Sequence, residues 1–217
     1  MNREPLLVYG ASGHAKVILD ILERAGQHPI VGLLDDNVRL RGTGFFGYPV
    51  LGGGDLLSEH RYRGHQLVIA VGDNHARQKI ARQIGRLGGY EFALAIHPSA
   101  QIARGVQIGS GTVIMANVAI NSDAVIGQHA IINTGATIDH DCVIGDFVHV
   151  SPGTHLAGNV HVGALTHLGV GVSAIPGVKI GTASIIGAGA VVLNDIPEGV
   201  TAVGVPARVV KTKRGGS

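Results

Sequence analysis

The chain has 217 residues, of which 15% are charged and 4% aromatic, with no Trp, 34 glycines and a net charge of +2. That balance gives no reason to propose nucleic acid or a membrane surface as a partner, and the single cysteine, Cys142, excludes an intrachain disulfide framework. With 45% hydrophobic residues the chain can build a core, but one of small branched side chains rather than rings.

The first residues, MNREPLLVYG, carry an acid near the start and an apolar run too short for a signal peptide. No segment reaches the roughly 18 uninterrupted apolar residues a spanning helix needs, so a cytoplasmic location is expected. PLLVYG (5–10) reads as a buried strand, followed by the turn ASGHA and a helix-period segment over 16–26. PIVGLLDD (29–36) is a second strand ending in two acids; HQLVIAVGD (65–73) is a third, followed by an amphipathic helix over 74–88. Strands alternating with helices imply a parallel sheet with crossover helices, a Rossmann-like domain over 1–92. The turn-rich segment 39–54 resists placement.

From Ile96 the pattern changes. Every sixth residue from Ile96 to Val192, through Ile102, Ile108, Ile114 and so on, is aliphatic, seventeen in succession without a frame shift. Four positions after each comes a small or branched residue, such as Ala100, Val106, Thr112 or Cys142. The residue directly after the aliphatic is often Gly, Asn or Asp, as at Gly109, Asn121, Asn133 and Asp139. A period of six fits neither an α-helix nor a hairpin. It fits a triangular β-solenoid over 93–197, with the aliphatic residue inward and the Gly, Asn or Asp expected at the left-handed corner. At three strands per coil, five to six coils stack at about 4.8 Å into a prism roughly 25 Å tall. Residues 198–217 form a C-terminal tail.

The same frame orients the histidines. His140, His149, His155, His161 and His167 all fall on outward positions, and His149 stacks one coil below His167. His155 and His161 belong to the other two faces and read as surface residues. His149 with His167 could share a metal, but no third ligand is evident, so no metal is expected. His140, between Asp139 and Asp141 in IDHDC, has the arrangement of a general base oriented by a carboxylate. One coil later stands Gly158, which has no side chain, and its backbone N–H would suit an oxyanion donor. His140 and His149 are expected on one working face. Cys142, on an inward position, is expected to pack rather than to form an acyl intermediate.

The hexapeptide pattern, the VGVPARVV stretch (203–210) and the N-terminal VYGASGHAKVILDIL together resemble the left-handed β-helix, hexapeptide-repeat acetyltransferases. Within them the chain looks like the bacterial nucleotide-linked amino-sugar N-acetyltransferases and the related sialic acid O-acetyltransferases. The resemblance implies direct acetyl transfer from acetyl-CoA with His140 as base and Asp141 as its orienting acid. It also implies contact of His149, Gly158 and the segment around Ala188 with the cosubstrate, and of Asn133 with the acceptor. It further implies a homotrimer with active sites between subunits. For the nucleotide sugar it places Gly13, His14 and Lys16 near the phosphates and Asp35 and Asp36 against base or ribose. GASGHA is a possible anion-binding turn at a helix N-terminus but not a full G-x-G-x-x-G, so a dinucleotide site is not favoured. AVGDNHAR (70–77) ends another strand and can add Gly72, Asn74 and Arg77, unless Arg77 is a solvated helix residue. Two other readings stay open: O-acetylation of a sugar hydroxyl with the same base, and a non-enzymatic solenoid serving as a binding module.

Overall fold

The structure is a computed structural model that describes residues 4–212, and it divides into two compact units between Pro98 and Ser99. The division falls a few residues beyond position 92, where the strand–helix pattern ends.

In the first unit, strands β1 (Leu6–Tyr9), β2 (Ile30–Leu34), β3 (Gly44–Phe45), β4 (Tyr48–Gly52), β5 (Gln66–Ile69) and β6 (Glu91–Phe92) form one sheet in the order β3-β4-β2-β1-β5-β6. All neighbours pair in parallel except β3 with β4. Leu6, Leu7 and Val8 of β1 and Leu67 and Val68 of β5 are fully buried, as continuous apolar runs in a doubly covered sheet should be. Helix α1 (Gly13–Ala25) crosses from β1 to β2, and buries Ala15, Ile18, Leu19, Ile21 and Leu22 on one stripe. Gly26 ends it in the left-handed region at φ 59°, its N–H donating to the Leu22 carbonyl at 2.9 Å. Helix α2 (Asn74–Leu87) crosses from β5 to β6, and the Asp73 carboxylate caps it by accepting the Ala76 N–H at 2.8 Å. The segment at 39–54 resolves into the β3–β4 hairpin, whose second strand extends the sheet beside β2.

The second unit is a left-handed parallel β-helix of two-residue strands stacked in three columns. One column runs from Val113–Ile114 through Ile131–Ile132, His149–Val150 and His167–Leu168 to Ile185–Ile186. A second runs from Gln101–Ile102 through Thr137–Ile138 and His155–Leu156 to Val191–Val192, and the third from Gln107–Ile108 through Val143–Ile144 and His161–Val162 to Lys179–Ile180. The register is 18 residues throughout: Ile120 faces Ile138, which faces Leu156, which faces Ala174. From Ile114 to Val192 every aliphatic of the six-residue series is at most 6% exposed, whereas Ile102, on the first coil, is 38% exposed. Burying each isoleucine stabilises the prism by about 1.5–3 kcal/mol. The described part of the tail is not an appendage. Val200–Val203 joins the first column beside Ile185–Ile186, and Arg208–Thr212 pairs with it antiparallel.

The corner chemistry differs from the sequence expectation. In the solenoid the left-handed corner residues lie three positions after each aliphatic from Ile102 to Ile186, among them Asp123, Asp141, Asn159 and Gly177. The glycines directly after the aliphatic serve close approach instead. A Cβ on Gly109, Gly127 or Gly145 would stand 2.6 Å from a backbone nitrogen of the next coil. Cys142 is fully buried, its thiol donating to the Ala157 carbonyl at 3.2 Å, and burial pushes its pKa up.

Candidate active site

His140 occupies the corner between the Thr137–Ile138 strand and the Val143–Ile144 strand. Its Nδ1 lies 2.8 Å from Oδ2 of Asp141, with the two side chains 60% and 61% exposed. Asp141 is held at φ 58°, a conformation Asp tolerates better than most residues, and this turns its carboxylate onto the neighbouring ring. Asp139 fixes the other side: its Oδ1 accepts the His140 backbone N–H at 2.8 Å and the Asn121 side-chain amide at 2.8 Å. Those two bonds, the Asn121 one first, lower the Asp139 pKa. The hydrogen bond to Asp141, helped by the charge of Asp139, raises that of His140. With Nδ1 given to Asp141, Nε2 carries the lone pair that could take a proton. In the sequence Asn121 reads only as a corner residue, although its position one coil before Asp139 is a legible signal of this contact.

Gly158 has a different relation to His140 from an open platform. A Cβ built on it would meet Cε1 and Nε2 of His140 at 2.6 Å, so the imidazole itself fills the space that the missing side chain leaves. The glycine seats the imidazole.

His149 lies elsewhere on the prism. It sits in the first column directly below His167, their ring centroids 4.7 Å apart and tilted by 34°. The Asn133 amide nitrogen is 3.3 Å from His149 Nε2, and Asn133 Oδ1 accepts the Thr134 N–H at 2.8 Å. That second bond fixes which way the amide faces, so His149 Nε2 accepts and its proton resides on Nδ1. Ser151 Oγ lies 3.1 Å from His167 Nε2. Asn133 therefore accompanies His149, not His140, and exposed Ala188 lies at the corner after the Ile185–Ile186 strand of the same column. The expectation of one shared working face does not hold within one chain. A side takes about six residues, so a nine-residue separation carries His149 one and a half sides on. His155 and His161 fall on the second and third columns as the frame implies, and Thr137 Oγ1 bonds His155 Nδ1 at 2.8 Å.

In the first unit the predicted residues gather at the carboxyl ends of β1, β2 and β5. Helix α1 starts at Gly13 after Ser12, with no side-chain cap and no acid in its first turn, and Lys16 is exposed. Asp35 is committed to the fold: Oδ2 accepts the Ala11 N–H and Oδ1 the Asn37 N–H, both at 2.8 Å. Asp36 accepts the Tyr9 hydroxyl at 2.8 Å and the Gly54 N–H at 2.9 Å. Burial, then this hydrogen bond, pushes the Tyr9 phenol far up, so it remains a donor.

Arg77 is not a solvated helix residue. It is 1% exposed; Nη1 donates to the carbonyls of Val71 and Gly72 at 3.0 and 3.1 Å, and Nη2 to Asn74 Oδ1 at 2.8 Å. Gly72 and Asn74 thus brace a buried guanidinium, whose pKa burial lowers to about 10. Burial and the Arg77 charge together lower His14 to about 4, so His14 offers a neutral ring to any phosphate. Among the described residues no group of three or more His, Cys, Asp or Glu could hold a metal ion, and no helix is long and apolar enough to cross a membrane.

Comparison with known proteins places this geometry. Residues 5–84 match the family model described as the PglD N-terminal domain, and residues 105–140 match the bacterial transferase hexapeptide model of six repeats. A curated relative, UDP-N-acetylbacillosamine N-acetyltransferase of Bacillus subtilis, is 41% identical over 111 residues, and the match spans half of each chain. A variant of perosamine N-acetyltransferase from Caulobacter crescentus, solved with CoA and GDP-perosamine, is 42% identical with a TM-score of 0.89, covering 96% of this chain and 97% of that one. The acetyltransferase domain of PglB from Neisseria gonorrhoeae, solved with acetyl coenzyme A, is 35% identical with a TM-score of 0.88, covering 97% of this chain and all of the other. The repeat, the N-terminal sheet and these likenesses agree: the chain belongs to the hexapeptide-repeat family of nucleotide-sugar N-acetyltransferases.

Proposed function

We propose that the chain transfers acetyl from acetyl-CoA to the amine of a nucleotide-linked amino sugar, in one direct step. The observation that carries the reading is the His140–Asp141 pair at 2.8 Å, at the corner where the ring lies over Gly158. The sugar amine attacks the thioester carbonyl while Nε2 of His140 takes its proton, and the N–H on Nδ1 faces Asp141, which stabilises the imidazolium. The C–N bond forms, the C–S bond breaks, and the proton passes to the departing CoA thiolate. The Gly158 amide, at the edge of the ring, is assigned to the tetrahedral oxyanion. The first unit holds the nucleotide, with its diphosphate at the uncapped start of α1 near Gly13, His14 and Lys16.

His149 and Ala188 are assigned to acetyl-CoA, and Asn133 to the acceptor side of the same neighbourhood. Because His140 and the first column lie on separate parts of one prism, one site combining them requires a second copy. We therefore assign a homotrimer with sites between copies, working in the cytoplasm. A cover of this kind would also shield an imidazole that is mostly exposed in the single chain, as proton transfer requires. The test is His140→Ala: turnover should fall by about 10²- to 10⁴-fold with the assembly intact. Near-wild-type turnover in a folded variant would remove the base from the mechanism.

A further inference from the structure

The relatives divide on the nucleotide: the Bacillus protein, 41% identical over half of this chain, is named for a UDP-linked sugar, and the Caulobacter structure, 42% identical over 96% of it, holds a GDP-linked one. A cavity in the first unit bears on the choice.

This cavity, of about 270 Å³, lies between the carboxyl end of β1 and α2, lined by the polar Tyr9, Asp36, Asp55 and Gln83, by Gly54, and by the aliphatic Leu57, Ile80, Ile84 and Leu87. Its chemistry is one-sided. Asp36 and Asp55 supply carboxylate acceptors. The Tyr9 hydroxyl already donates to Asp36, and no Lys, Arg or His lines the cavity among the described residues. The amide of Gln83 is the one remaining side chain that can both donate and accept. The aliphatic part of the lining suits a flat ring, and the volume admits a bicyclic one.

A uracil edge carries one N–H between two carbonyl oxygens, so a carboxylate placed against it gains one bond and faces two repelling lone pairs. Guanine carries N1–H and the N2 amino group side by side, which a single carboxylate accepts as a pair of parallel, charge-assisted bonds. Asp36 is already engaged by Tyr9 and the Gly54 N–H, which leaves Asp55 as the carboxylate to read the base. Gln83 can meet guanine O6 or N7 from the helix side. Resting on the nucleotide-sugar reading above, we infer that this cavity is the base subsite, that it selects guanine over uracil, and that Asp55 is the discriminating residue.

Titration calorimetry of the full chain with GDP and with UDP tests this. GDP should bind at least about tenfold more tightly than UDP. Asp55→Asn should weaken GDP by about 10- to 100-fold while leaving UDP within about threefold, as loss of a charged hydrogen-bond acceptor implies. Asp55 is exposed, so the variant should keep the parent melting temperature. Gln83→Leu, a second change in the cavity lining on α2, should also weaken GDP more than UDP. UDP binding as tightly as GDP would overturn the guanine assignment and leave the nucleotide-sugar reading standing. GDP preferred but indifferent to both substitutions would move the base out of this cavity. Failure to bind either nucleotide would instead remove the reading on which the inference rests.

Discussion

The His140 imidazole rests on the backbone of Gly158, one coil later, so closely that a Cβ there would stand 2.6 Å from Nε2. Gly158 is not in the left-handed region, so a side chain would meet the ring without straining the backbone. Gly158→Ala should therefore push an exposed, movable ring away while changing stability by less than about 1 kcal/mol. Turnover should drop by roughly 10²-fold, since a misplaced base loses its proton-transfer geometry. Steady-state kinetics beside thermal melts separates the two effects; equal losses in both would mean that Gly158 is a packing glycine only.

Asp141 raises the His140 pKa through its hydrogen bond. The base works only when deprotonated, so the acidic limb of the kcat profile should lie above the ordinary imidazole range near 6.5. Asp141→Asn removes the largest cause of that rise, so the limb should move to lower pH and the plateau rate should fall as tautomer control is lost. A pH–rate series on both proteins checks the direction. An unmoved limb would dissociate Asp141 from the titrating group.

His14 has its pKa lowered to about 4 by burial and by Arg77. The unfolded chain then binds a proton between about pH 6.5 and 4 that the folded chain refuses, so stability is full above 6.5 and falls as pH drops. The total loss is about 3 kcal/mol once pH is below 4. Denaturant unfolding at pH 7 and at pH 4.5 should show a decline that His14→Gln reduces.

Arg77 spans the Val71 and Gly72 carbonyls and the Asn74 side chain from inside the unit. Arg77→Met removes the donors and leaves buried acceptors unpaired, which should cost about 2–4 kcal/mol. Arg77→Lys should recover only part of it, because a single ammonium cannot reproduce the planar fork. Urea unfolding of the three proteins gives the order Arg, Lys, Met; a tolerated Met would refute the brace.

The six-residue aliphatic period determined the prism by itself, because a repeat that must bury one side chain per strand admits few folds. It also placed Ile138, Cys142 and Ile144 inward and the five histidines outward. IDHDC already paired His140 with Asp141, since adjacent residues at a tight corner meet wherever the corner goes. What the sequence left undecided depended on neighbours remote along the chain. Only the stacked coils showed that Gly158 seats the His140 ring, that Asn133 belongs with His149, and that glycines after the aliphatics admit the next coil's backbone. Arg77 has the composition of a solvated helix residue, and only the packing of α2 against its own entry loop buried it. Asp35 and Asp36 end a strand legibly, yet their partners, Ala11 and Tyr9, are more than twenty residues away. Period and adjacency are local and can be read in one dimension; hydrogen-bond partnership and burial are set by contacts that exist only once the chain has closed on itself.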